Sequence, residues 1–259
     1  MCGRFTLSAS EAEIMERFIV DESFMETRLS PRFNIAPTQT IAAIIASDGK
    51  RILKGLQWGL IPFWVKDLKA MRPMINARME TLAEKPFFKT ALSRRRCIIP
   101  ADGFYEWQVL PEAEEGERTS GKGGKSPRAR AAKPSKQPVW IHLKERSLFG
   151  FAGLFDEWKK PDGTVLPTCT IITTSANQAI APVHDRMPVI LSPENEALWL
   201  NAEIKDTASL ISVLDPYPSN LVTFHKVSPR VNSAARDEEG MNAPEVAPEV
   251  EPELPGLGD

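Results

Sequence analysis

The chain opens MCGRF, and Cys2 is its most unusual chemical resource. Initiator methionine is normally trimmed when the next residue is small. Removal would leave Cys2 with a free α-amine and a thiol on adjacent carbons. Reference pKa values of about 7.7–8.0 for the amine and about 8.5 for the thiol leave a useful fraction of each unprotonated near neutrality. Three further stretches set polar groups beside dense apolar or aromatic sequence: INARMET at 75–81, DGFYEW at 102–107 and VHDRMP at 183–188. They supply Asn76 with Arg78, Glu106, and His184 with Arg186, to stand beside Cys2 and Arg4. Glu106 lies between Tyr105 and Trp107, where burial would suit it to proton transfer but simple strand alternation would turn it to water. His184 sits in a proline-bracketed loop next to an acid and an arginine, and rigid loops of this kind often carry function. A lone histidine is more often structural. Asn76 and Arg78 alternate along an extended segment and can share a face, an arrangement that suits phosphate, carboxylate or surface ion pairs. QWGLIPFW (57–64) sets Trp58, Phe63 and Trp64 close to Lys66 and Lys69, either as core with a wetted rim or as a stacking surface for unpaired bases.

Other chemistries find little support. Cys97 and Cys169 lie within apolar runs and read as buried thiols, and three distant cysteines give neither a disulfide framework nor a zinc spacing. There is no glycine-rich phosphate loop and no Gly-x-Ser-x-Gly. Neither a metal nor a cofactor is expected. No run approaches the roughly 18 apolar residues of a membrane helix, and the N-terminus lacks a signal-peptide layout. The expected compartment is the reducing cytoplasm. Net charge is −2, but the tail from Asp237 holds eight acids and no bases, whereas Arg118–Lys136 holds seven bases and no acids. The remainder is near neutral, so local arginines rather than an overall field must attract any polyanion.

The elements that must position these groups are mostly strands. IAAIIA (41–46), RCIIP (96–100), GFYEWQV (103–109), PVWIHLK (138–144), LFGFAGLF (148–155), TCTIITT (168–174) and LVTFHKV (221–227) are short, rich in β-branched or aromatic residues and mostly bounded by turn residues. PVWIHLK and LFGFAGLF, split by the polar Glu145–Ser147, are expected to pair as a hairpin. Within PVWIHLK, alternation places His142 on the wetter face, and His225 is a similar strand histidine. Ser10 and Glu13 make a capping box, and helical spacing recurs at 85–95, 193–200 and 208–214. Strands dominate without β–α alternation, so the expected fold is α+β, one domain with a largely antiparallel sheet and a few flanking helices. That domain spans 2–235. Residues 111–138 read as a flexible basic insertion in place of a hairpin turn, and 236–259 as a disordered acidic tail.

Eight stretches in order resemble the SOS response-associated peptidase family, or SRAP domain: MCGRF, FNIAPTQ (33–39), WGLIPFW (58–64), NARMET (76–81), RRCIIPADGFYEW (95–107), FAGLFDEW (151–158), HDRMPVIL (184–191) and VSPRVN (227–232). The resemblance implies a barrel-like sheet and a sensor of abasic sites in single-stranded DNA. It implies Cys2 as the nucleophile that becomes joined to DNA, Asn76 and Glu106 as its partners, and His184 as a general acid/base. It places Arg4, Arg78 and Arg186 along the DNA path, with Asn34, Pro37 and Trp64 as further contacts. It also implies a monomer at the nucleoid, in reach of replication-fork proteins. Strand-cleaving lyase activity and release of Cys2 by self-cleavage remain open. The alternatives are an N-terminal-nucleophile glutamine amidohydrolase, a cysteine peptidase acting in trans through Cys2 and His184, and a DNA-binding module without chemistry.

Overall fold

A computed structural model describes residues 2–68, 71–110 and 135–245. Five strands form its centre: β4 (Thr40–Ser47), β5 (Lys50–Trp58), β7 (Arg96–Ala101), β10 (Phe149–Lys159) and β11 (Val165–Ser175). They run antiparallel in the order β11-β10-β7-β4-β5. A short parallel pairing of β5 with β11, Gln57 opposite Thr168 and Trp58 opposite Cys169, closes them into a barrel. Closure removes the unpaired edges that an open sheet would leave. The α+β, barrel-like architecture expected from the sequence is therefore the one observed.

A second antiparallel sheet runs β14 (Val222–Lys226), β9 (Lys136–Leu143), β8 (Gly103–Val109), β1 (Phe5–Leu7) and β3 (Arg32–Ile35). Aromatic edges join it to the barrel. Phe5 meets Trp58 at 5.3 Å and Phe151 at 5.9 Å between ring centroids, and Phe104 meets Phe151 at 5.9 Å, all edge-on. Each buried ring of this size contributes about 1.5–3 kcal/mol by leaving water. Where β8 begins, a side chain on Gly103 would fall 2.3 Å from the Trp140 ring, so only glycine lets that indole cover the strand.

The helices start where the sequence places them. α1 (Glu11–Phe18) carries the expected capping box, with Ser10 accepting from the Glu13 amide and the Glu13 carboxylate accepting from Ser10. α2 (Pro86–Arg94) and α3 (Pro193–Leu200) begin with proline, and α4 (Thr207–Ile211) is capped by Asp206. Their buried faces cover the barrel from outside.

Several expectations are corrected. β9 and β10 do not form a hairpin: β9 pairs with β8 and β14, whereas β10 belongs to the barrel. The polar turn between them is a crossing from one sheet to the other, which local sequence does not distinguish from a hairpin. The basic insertion ends earlier than expected, because Lys136–Pro138 already pair with Trp107–Val109, and 111–134 lie outside the described residues. His142 is buried rather than wetted, its ring stacked on Trp140 at 4.4 Å and set against His225 at 5.5 Å. Burial lowers its pKa; a hydrogen bond to the Leu143 carbonyl opposes this, and His225 and Arg146 reinforce it. A histidine whose folded pKa lies below its unfolded value contributes stability above the unfolded value and loses it as pH falls through the folded one. The urea midpoint is therefore expected to drop between about pH 7 and about pH 5, and by less in His142→Phe.

The acidic tail does not begin at 236. Asp237 accepts from the backbone amides of Phe33 (2.5 Å) and Asn34 (2.9 Å) and pairs with Arg32, and Glu238 pairs with Arg230. Met241 is only 3% exposed and packs with Tyr105, Trp140, Val227 and Val231. The Glu245 amide donates to the Lys226 carbonyl, and residues 246–259 lie outside the described range. These residues strap the outer face of the second sheet. Met241→Ala should cost about 2 kcal/mol or more in urea unfolding. An unchanged midpoint would mean that the strap adds no stability.

Candidate active site

The N-terminus enters the fold through β1. Phe5 lies opposite Phe104, and the Tyr105 amide donates to the Arg4 carbonyl at 2.9 Å, so the ladder continues to Arg4. One antiparallel step further sets Glu106 level with Gly3, next to Cys2. Paired residues share a face, so Glu106 lies on the inner face with Phe104, while Tyr105 turns outward beneath the strap. Glu106 is 3% exposed and Cys2 fully buried. Alternation alone leaves the side of Glu106 undecided because both faces of this sheet are covered.

Asn76 reaches Cys2 from the barrel. β6 (Asn76–Arg78) runs parallel to β11, with Asn76 opposite Ile171 and Arg78 opposite Thr173. The chain leaves β5 after Trp58 and comes back to β6 past an isolated bridge, in which Leu60 and Met74 exchange backbone hydrogen bonds of 2.9 and 3.0 Å. Gly59 permits this at φ +136°, where a side chain would lie 2.9 Å from Pro73 Cβ. The Trp58 indole N–H then holds the Ile75 carbonyl at 2.8 Å. Fixed in this way, the Asn76 Nδ2 donates to the Cys2 carbonyl at 2.8 Å. Its Oδ1 is buried and accepts no hydrogen bond among the described residues, which leaves an acceptor beside Cys2.

The Cys2 thiol donates to the Arg4 carbonyl at 3.7 Å. Burial first, then the negative charge of Glu106, pushes its pKa well above the usual thiol range. At neutral pH the group is a thiol, not a thiolate.

Arg4 is held rather than loose. Its Nη1 donates to Asn34 Oδ1 and to the Val231 carbonyl, both at 2.7 Å. Asn34 is fully buried, and its Nδ2 donates to the carbonyls of Ser233 (3.0 Å) and Arg236 (2.7 Å). Expected as a DNA contact, Asn34 is buried here and ties Arg4 to the strap. Sequence reading misses Asp237, which in turn holds Asn34, because one acid in an acidic run gives no signal.

His184 and Arg186 meet β11 at the same end as β6. Strand β12 (Arg186–Pro188) pairs with β11, Arg186 opposite Ser175. The Arg186 amide donates to His184 Nδ1 at 2.9 Å, while an Asp185 carboxylate oxygen lies 2.8 Å from the same nitrogen. One nitrogen cannot serve both as acceptor and as donor. The backbone amide is held next to the ladder, whereas the Asp185 side chain is 83% exposed, so Nδ1 accepts from the amide. The Arg186 guanidinium does not face open solvent. It forms a two-pronged ion pair with Glu80, Nη2 to Oε2 at 3.0 Å, and donates to the Thr173 carbonyl at 2.7 Å. Arg78 is exposed on the neighbouring strand and Pro37 is half-buried. Trp64 is 47% exposed, its ring 5.4 Å from Phe87, with Phe63 beside it under Arg95.

A cavity of about 770 Å³ lies elsewhere, between β5 and the chain after β2 (Glu22–Phe24), and contains none of these groups. No cluster of three or more potential metal ligands occurs among the described residues, and no described helix is long and apolar enough to cross a membrane.

Fold and site together define a closed-barrel α+β protein with a buried N-terminal cysteine flanked by an amide and a carboxylate. The family model described as "SOS response associated peptidase (SRAP)" matches residues 1–234, and the chain belongs to that family. It is 45% identical over 233 residues to the abasic site processing protein YoqW of Bacillus subtilis, covering 90% of this chain and 95% of that one. It is 31% identical to the mouse abasic site processing protein HMCES over 226 residues, 79% of this chain and 62% of the mouse protein. A crystal structure of a Bacteroides thetaiotaomicron protein superposes with a TM-score of 0.76 at 25% identity, covering 95% of this chain and all of that one.

Proposed function

We propose that this protein processes abasic sites in single-stranded DNA by trapping them covalently on Cys2 after removal of Met1. The observation that carries this reading is the burial of Cys2 between Asn76, which holds its carbonyl, and the Glu106 carboxylate. The names of the relatives support abasic-site processing as the task.

The open form of an abasic site carries an aldehyde. The Cys2 amine attacks its carbon, a C–N bond forms, and water leaves to give an imine. The thiol then adds to the imine carbon; a C–S bond forms, the C=N π pair moves to nitrogen, and the thiol proton is transferred there through Glu106. The product is a five-membered thiazolidine, one water lighter than the reactants. Carrying both nucleophiles on one residue makes the second step intramolecular, worth effective molarities of about 10⁵–10⁸ M. Asn76 orients the N-terminal residue, and its buried Oδ1 supplies an acceptor for the Cys2 amine. His184 acts as the general acid at the sugar oxygen as the ring opens. Arg4 and Arg78 bind phosphates on either side of the lesion irrespective of sequence. Trp64 offers a face on which a base stacks. An unpaired strand is required because the lesion must leave any stack to reach a buried residue.

The test is intact mass after mixing with a single-stranded oligonucleotide carrying one abasic site. A species equal to the protein without Met1 plus the oligonucleotide, less one water, supports the trap. Unmodified protein with intact DNA would overturn it.

A further inference from the structure

Arg186 combines two features that pull in opposite directions. The family resemblance places it along the DNA path, yet its side chain is 11% exposed and its charge is already matched by Glu80. The Glu80 side chain is 48% exposed, so a phosphate approaching from solvent meets the carboxylate before the guanidinium. Glu80 is well placed for this. It lies in a single 3₁₀ turn (Met79–Thr81) directly after β6, which pairs with Ile171–Thr173, and Arg186 lies on β12 across β11, which pairs with Thr173–Ser175, so the two strands meet at Thr173. The acid is charged at neutral pH, because its hydrogen bond to Arg186 holds its carboxyl below the usual range. Arg186 Nη2 also donates to Thr173, and Nε is buried without a hydrogen-bond partner among the described residues.

From this geometry we infer that Glu80 acts as an internal stand-in for phosphate, holding Arg186 in reserve and limiting non-covalent affinity for the DNA strand. The inference rests on the reading that Arg186 faces DNA. A backbone phosphate that engages Arg186 must displace Glu80, exchanging one ion pair for another. Little is gained, so lasting retention falls to the covalent step at Cys2 rather than to phosphate contacts. The exchange also leaves a signature in salt dependence. A cation already neutralised by protein takes over no phosphate charge and releases no counterion from the strand.

The experiment measures fluorescence anisotropy of a labelled single strand carrying a tetrahydrofuran abasic analogue, which has no aldehyde and isolates non-covalent binding. Glu80→Gln keeps the shape and removes the charge. It should bind about tenfold more tightly at low salt. Its slope of log affinity against log salt should steepen by about 0.7, one single-strand phosphate contact. In the Arg186→Gln background the same change should give no gain. Unchanged or weaker binding by Glu80→Gln would overturn the inference, as would a gain that persists without Arg186, which would reflect a general field. Should the unaltered protein not bind the strand, the DNA-binding reading fails first and the gate with it. Thermal melting of each variant shows whether it is folded, and Arg186→Met, which also lacks the charge, stands in if Arg186→Gln is not.

Discussion

Cys2→Ala is expected to abolish the adduct that survives denaturation, while cyanoborohydride still traps a reduced adduct. Alanine is as small as cysteine, so Met1 removal should proceed and the α-amine should remain. That amine can condense with the aldehyde, but without sulfur the imine hydrolyses back. The lost step is ring closure, for which an intramolecular nucleophile is worth about 10⁵–10⁸ M. Stable adduct should therefore fall below detection in the mass spectrum, while the reductant converts the transient imine to a stable amine. Equal yields from both proteins without reductant would show that sulfur is dispensable. No adduct even with reductant would show that sulfur, not nitrogen, makes the first bond.

Glu106→Gln should slow crosslinking by about 10²-fold or more, the range of a positioned proton-transfer group. The direction of this effect discriminates between two roles. The Glu106 charge raises the Cys2 thiol pKa, second to burial. If Glu106 acted on the site only through that field, its removal would bring the thiol pKa down, enrich the thiolate and accelerate the reaction. If it moves protons during imine formation and closure, the rate falls although the thiol becomes more acidic. Glutamine keeps the volume in a site that is 3% exposed, so packing changes little. Single-turnover rates with abasic single-stranded DNA decide it, and a faster variant would remove Glu106 from the proton path.

The strands of β4, β7, β8 and β11 are legible in the sequence because their side chains are β-branched or aromatic and turn residues bound most of them. β5 is harder to read: Lys54 and Gly55 interrupt it, and its pairing with β11 is parallel and distant. The strands β1, β3 and β6 are three or four residues long, too short for periodicity to reveal. The expected hairpin of β9 with β10 fails for a related reason. A polar turn between two apolar runs fixes the reversal of the chain but not which neighbour each strand will find.

The same division runs through the site. Residue types and motifs suffice to nominate Cys2, Asn76, Glu106 and His184, since chemistry depends on which groups a chain carries, and the run of motifs from MCGRF to VSPRVN matches the family to which the chain belongs. Direction and partnership are different matters. Glu106 faces inward because β1 pairs with β8 in one register, and that register is set by contacts about a hundred residues apart. Asn34 is buried against a strap that composition marks as disordered, because Met241 and Asp237 find their partners only after the sheet has formed. Arg186 is matched by Glu80 across β11, a pairing with no local trace. Side-chain chemistry is a property of single residues and can be read along a line. Burial, facing and charge neutralisation are properties of neighbours in space, and those neighbours exist only once the barrel closes.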